Sequence, residues 1–135
     1  MRSYIFAYAG ALVAFCAMDF FWLTIIAKKF YQAQMGSLML AEPNLTSAAI
    51  FYILYILGLL VFAVMPALRS QSFIMAMSLG AFLGLIAYGS YDLTNLSTLK
   101  GWSLILSLVD ICWGIVVSSV ASSAGFIVAR FFEKV

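Results

Sequence analysis

The sequence predicts an all-α membrane protein: an antiparallel bundle of four transmembrane helices, with an interfacial segment between the first and the second. Three observations carry that prediction. Of 135 residues, 66% are hydrophobic and only 9% are charged, and the mean hydropathy is +1.12. A soluble domain of this size needs a polar face on each surface element, and this composition cannot supply one. The apolar residues fall into four nearly charge-free stretches, each long enough to cross a hydrocarbon core of about 30 Å at about 1.5 Å per residue. The polar breaks are short, so successive helices should be antiparallel neighbours in one domain spanning residues 1–135.

The first helix is expected at about 4–27, stopped by Lys28 and Lys29. It is too long for the apolar core of a signal peptide, about 7–15 residues, and reads as a retained span. The second is expected at about 46–68, between Pro43-Asn44 and Arg69; the third at about 72–95, ahead of Lys100-Gly101; the fourth at about 102–129, ending at Arg130. The connection over 28–45 contains KKFYQAQMGSLMLAEPN, whose Phe30, Tyr31, Met35, Leu38, Met39 and Leu40 suggest a short interfacial helix or flap. Its plain role is a membrane-surface connector; its functional role would be a lid. Ala76, Gly80 and Gly84 in the third span, and Gly114, Ser118 and Ser122 in the fourth, are small residues at four-residue spacing. Such stripes let helices approach closely in lipid, within one chain or between two copies in a homodimer. Orientation is weakly marked. Arg2, Arg69, Arg130 and Lys134 stand on one side against Lys28, Lys29 and Lys100 on the other, which favours cytoplasmic termini in a multi-pass inner-membrane protein.

Composition also excludes chemistry. The formal net charge is +2 with no basic cluster longer than Lys28-Lys29, so nucleic acid is not an expected partner. The chain has no histidine, which removes imidazole-ligated metals and the Ser-His and Cys-His nucleophile pairs. Cys16 and Cys112 are isolated in apolar stretches and read as packing residues.

The informative residues are Asp19, Asp92 and Asp110, because an ionisable side chain within a span is costly and by default marks a site. Counting from the flanking charges and Trp102, Asp19 falls roughly 6 Å from the midplane, Asp110 roughly 9 Å and Asp92 roughly 11 Å. All three come out in the half of the bilayer nearest the 28–45 connection. Tyr88, Asp92 and Asn95 lie on one helical stripe of YGSYDLTNL, with Thr94 beside them. Tyr52 and Tyr55 enter from the same side and could donate to a carboxylate. Trp22 and Trp113 each follow an acid by three residues, in DFFW and DICW. Trp102 and Tyr4 fit an interfacial aromatic belt.

No Lys or Arg is placed to neutralise these acids. At least one should therefore hold a proton, bind a cation, or stand in a water-filled funnel. A divalent cation held by Asp19, Asp92 and Asp110 is one such option, although no cofactor is evident. The competing reading is that the acids only cross-link helices, and for Asp92 that it caps a helix end.

The chain resembles an uncharacterised family of short four-helix bacterial membrane proteins, a domain of unknown function. The resemblance covers nearly the whole chain and rests on D-x-x-W-L from Asp19, Phe30-Tyr31, FYILYILG from Phe51, AYGSYDLTNLSTLKGW from Ala87 and DICWG from Asp110. It implies a fold and no activity. Two functions are weighed on the residues themselves. One is a pocket that binds or transports a small cationic or amphipathic ligand, with proton coupling through the acids. The other is a lipid-handling enzyme or accessory subunit using the acids as general acid and base. A purely structural subunit is the third. Expected partners are membrane lipids and a small-molecule or lipid ligand.

Overall fold

The computed structural model describes residues 1–134. Among them, four helices are long and apolar enough to cross a membrane: α1 Arg2–Ile26, α3 Leu45–Arg69, α4 Phe73–Thr98 and α5 Leu104–Glu133. A short helix, α2 Lys28–Met35, and a 3₁₀ turn over Gly36–Leu38 begin the connection between α1 and α3. The four spans stand where the apolar stretches place them, but their ends differ. α4 continues to Thr98 rather than stopping at 95, and α5 begins at Leu104 and runs to Glu133.

Local chemistry fixes the helix starts. Asn44, Ser72 and Ser103 each cap a helix, accepting a hydrogen bond from the backbone N–H of Ser47 (3.0 Å), Met75 (3.2 Å) and Leu106 (3.1 Å). Two stretches wind wider, as π-helical turns: Trp22–Ile26 at the end of α1 and Leu60–Val64 within α3. The second lies just before Pro66. Proline has no N–H to return to the preceding turn, and the wider winding carries the chain past that gap. The turn leaving α4 passes through Gly101 at φ 80°, a left-handed conformation that glycine adopts without strain.

α5 is the centre of the bundle, packed along much of its length on α4 and on α1, while α3 leans in chiefly through its π-helical turn. The two small-residue stripes meet each other. A Cβ placed on Gly80 would come within 2.8 Å of the Ser118 carbonyl oxygen, and one on Gly84 within 2.3 Å of the Gly114 carbonyl oxygen. The close approach therefore joins α4 to α5 within one chain, a choice the spacing alone leaves open. Ser122 donates to the Ala76 carbonyl across the same seam at 2.8 Å.

The buried apolar side chains form three successive layers. Nearest the termini are Ala7, Val64, Ala67, Ala76, Phe126 and Ala129. In the middle are Ala11, Phe15, Ile56, Leu59, Val117 and Ala121. At the far end a small cluster of Ala27, Tyr31 and Leu106 seats α2. Large apolar side chains such as Val13, Phe20, Leu54, Phe62 and Phe82 point outward, as a lipid-facing surface requires.

Candidate functional site

At the α2 end of the bundle the layers give way to a cavity of about 280 Å³. Asp19 of α1, Asp92 of α4 and Asp110 of α5 all line it. Aromatic walls come from Tyr31, Tyr88, Tyr91, Trp102 and Trp113, and the apolar remainder from Leu23, Met35, Met39 and Leu106. No Lys or Arg is among the lining residues.

The three acids differ in what they touch. Asp19 is fully engaged. The Trp113 indole N–H donates to its Oδ1 at 3.1 Å, and the Tyr52 hydroxyl donates to its Oδ2. Asp110 accepts at Oδ1 from the Tyr31 hydroxyl of α2 at 2.7 Å. That hydroxyl in turn accepts from the Trp22 indole N–H at 3.0 Å, so α1, α2 and α5 are joined by one short relay. Asp92 is 1% exposed and neither of its carboxyl oxygens has a hydrogen-bond partner. Its neighbour is the Asp110 carboxyl group, within hydrogen-bonding reach, so a proton on either acid would pair the two.

The aromatic residues hold this arrangement in place. Trp22 and Trp113, the indoles that follow Asp19 and Asp110 by one turn in their own helices, stack on each other with centroids 4.4 Å apart and planes 4° from parallel. Tyr91 meets Trp102 edge-on at 5.8 Å, and Trp102 donates its indole N–H to Ser107 at 3.0 Å. Trp102 thus belongs to the cavity wall rather than to a free interfacial belt. The chain's three tryptophans all stand at this site.

α2 forms one wall of the cavity through Tyr31 and Met35. Tyr31 is its one buried residue. Ser103 adds a second tie, donating to Gln34 from the loop before α5. Burial, and then the adjacent Asp110, push the Tyr31 phenol well above the ordinary tyrosine range, against a smaller opposing effect of the Trp22 indole. Tyr31 therefore stays a proton donor to Asp110 at any pH near neutrality.

Several expected residues stand elsewhere. Asp92 does not cap a helix: α4 continues to Thr98, and Asp92 lies in the cavity wall with its carboxyl oxygens buried. Thr94 is exposed on the far side of α4, its hydroxyl donating to the Tyr91 carbonyl of its own helix at 3.1 Å. Asn95 is half-buried and does not line the cavity. Tyr55 reaches no carboxylate; its hydroxyl pairs with Ser118 at 2.6 Å, deeper in the bundle, under an edge-on contact with Tyr88. Tyr52 and Trp22 act from behind the wall, through Asp19 and Tyr31. The three acids also fail to converge as one ligand set: among the described residues, no group of three His, Cys, Asp or Glu side chains could hold a metal ion.

Tyr31, Tyr91 and Trp102 join the site although the sequence does not mark them for it. Tyr31 does have a signal, as the aromatic of a short amphipathic segment. Only the fold shows that the segment turns back over α5.

The chain belongs to the family described as "Predicted membrane protein (DUF2177)", whose model matches residues 4–127. No curated protein and no solved structure matches it.

Proposed function

We propose that this member of the family binds a small organic cation in the acidic, aromatic-walled cavity beneath α2, and that the site exchanges the cation for a proton. The observation that carries the reading is Asp92: a residue 1% exposed in the cavity wall, its two carboxyl oxygens buried without a donor and beside a second carboxyl group. An unpaired buried polar group costs about 1–3 kcal/mol, more when charged. Two neighbouring carboxyl groups with no basic residue at hand call for a proton or a cation between them. The faces of Tyr88, Tyr91, Trp102 and Trp113 favour an organic cation over a bare metal ion, because aromatic rings attract alkylammonium groups through their quadrupoles. A cavity of about 280 Å³ lies near the lower end of ligand sites and fits a compact headgroup.

Asp19, held by Tyr52 and Trp113, supplies fixed negative charge at the inner wall. Asp110, tied to Tyr31, links occupancy of the cavity to the seating of α2. The basic residues, four against three, support a reading in which the termini are cytoplasmic and α2 with the mouth of the site lies on the opposite face.

The test is a titration of the purified protein in nanodiscs with tetramethylammonium, read by the fluorescence of the three tryptophans. A saturable change is expected in the wild type. In Asp92→Asn its midpoint should move at least tenfold to higher concentration. Lowering the pH should weaken binding in the wild type and have less effect on the variant. Equal titrations of the two proteins, or no saturable change in either, would remove the proposal.

A further inference from the structure

Beside the acidic cavity lies a second hollow, of about 370 Å³, on the lipid-facing side of α5. Its walls are Trp22, Leu108, Val109, Cys112, Trp113 and Val116, with almost no polar surface. The two hollows meet at Trp113, which lines both and stacks on Trp22. We infer that the ligand of the site is a single-chain amphiphile with a net cationic head: the head sits against Asp92 and Asp110, and the alkyl chain lies in the groove along α5. The inference rests on the cation-binding reading above and narrows its ligand class.

Charge and the wall shared at Trp113 select this occupant. The cavity presents three carboxyl groups and no Lys or Arg, so a zwitterionic phospholipid head would bring a phosphate into a site with nothing to pair it. A head bearing only positive charge meets no such penalty. Its first methylenes would pass the Trp113 indole, an apolar face shared by the two hollows. The chain beyond would then leave an acidic chamber for a groove that offers only carbon and sulfur contacts. The sharp change of lining across one side chain matches the sharp change of polarity along such a molecule. A ligand without a chain would leave the groove to the acyl chains of the bilayer.

The test uses octyltrimethylammonium carrying a bromine on its terminal carbon, with the wild-type protein in phosphatidylcholine nanodiscs. Bromine quenches tryptophan at contact, and Trp22 and Trp113 both face the groove. Quenching should saturate, and excess tetramethylammonium should reverse it, because the two compounds compete for the same carboxyl groups. Val116→Phe, which fills the groove, should raise the midpoint for the bromooctyl compound at least fivefold more than that for tetramethylammonium. Should that variant fail to fold, the wild-type competition decides alone. Quenching that rises linearly with bilayer loading and ignores tetramethylammonium would show a chain merely dissolved in lipid, and would overturn the inference while leaving cation binding intact. Absence of any saturable response to tetramethylammonium itself would remove both.

Discussion

From the middle of the bundle toward the termini, Gly80 and Gly84 let α4 settle onto Ser118, Ser122 and Gly114 of α5; the Ser122 hydroxyl donates to the Ala76 carbonyl across the seam, and that of Ser118 pairs with Tyr55. At the end covered by α2, the same two helices hold a cavity between them, and Asp92 of one faces Asp110 of the other without a donor for Asp92. One half is closed and hydrogen-bonded; the other is open and leaves a buried carboxyl group unpaired. In lipid, where no hydrophobic force drives helices together, the closed half is where packing stabilises the fold. The open half gains nothing in stability from Asp92. A residue that costs stability inside a fold held tightly elsewhere points to work at that position.

Substitutions in the two halves should therefore differ in size and in sign. The largest effect is expected at Gly84, where an added Cβ would stand 2.3 Å from the Gly114 carbonyl oxygen. Gly84→Leu should lower stability by more than about 3 kcal/mol, read as the midpoint of reversible unfolding in mixed micelles. A mild effect there would mean that the α4–α5 seam is looser than described. Next comes Asp19→Ala, which leaves the Tyr52 hydroxyl and the Trp113 indole without their acceptor. A loss of about 2–4 kcal/mol is expected in the same assay.

Tyr31→Phe should cost less, about 1.5–3 kcal/mol, concentrated in α2. Hydrogen exchange of the α2 amides should accelerate while those of α5 stay protected. Because burial and Asp110 raise the Tyr31 phenol, its contribution is fully present below the ordinary tyrosine pKa of about 10 and is lost only as pH rises through the higher folded value. Wild-type α2 should accordingly remain docked at a pH where exposed tyrosines have already ionised, as absorbance of tyrosinate against pH can check. The smallest change, and the one of opposite sign, belongs to Asp92→Asn. Its stability should be unchanged or higher by up to about 2 kcal/mol, since the carboxyl group it removes meets no donor in the fold and stands beside a second acid. A loss comparable to that of Asp19→Ala would make Asp92 a structural cross-link after all.

Much of this contrast can be read from the chain, and its limits are physical. Four spans follow from composition because a bilayer demands long apolar helices. Depth counting brings Asp19, Asp92 and Asp110 to one level, and the three do line one cavity. Rotation about the helix axis is legible too, and it sets one expected residue apart from the site. Thr94 lies two residues, or about 200°, from Asp92, so the two point to opposite sides of α4. Tyr52 and Tyr55 could not be told apart that way, being three residues apart on one face; a shift along α3 decides which hydroxyl meets Asp19 and which meets Ser118. The docking of α2 was likewise hidden. Its place depends on Tyr31 finding Asp110 some eighty residues away, a contact no local pattern encodes.

The claim that Asp92 is a cation site is tested most directly by its own carboxyl vibration. Infrared difference spectra of the wild type, with and without tetramethylammonium, should show a band in the carboxyl region that vanishes in Asp92→Asn while the variant remains folded. A spectrum with no carboxyl band, or one that the substitution leaves unaltered, would contradict it.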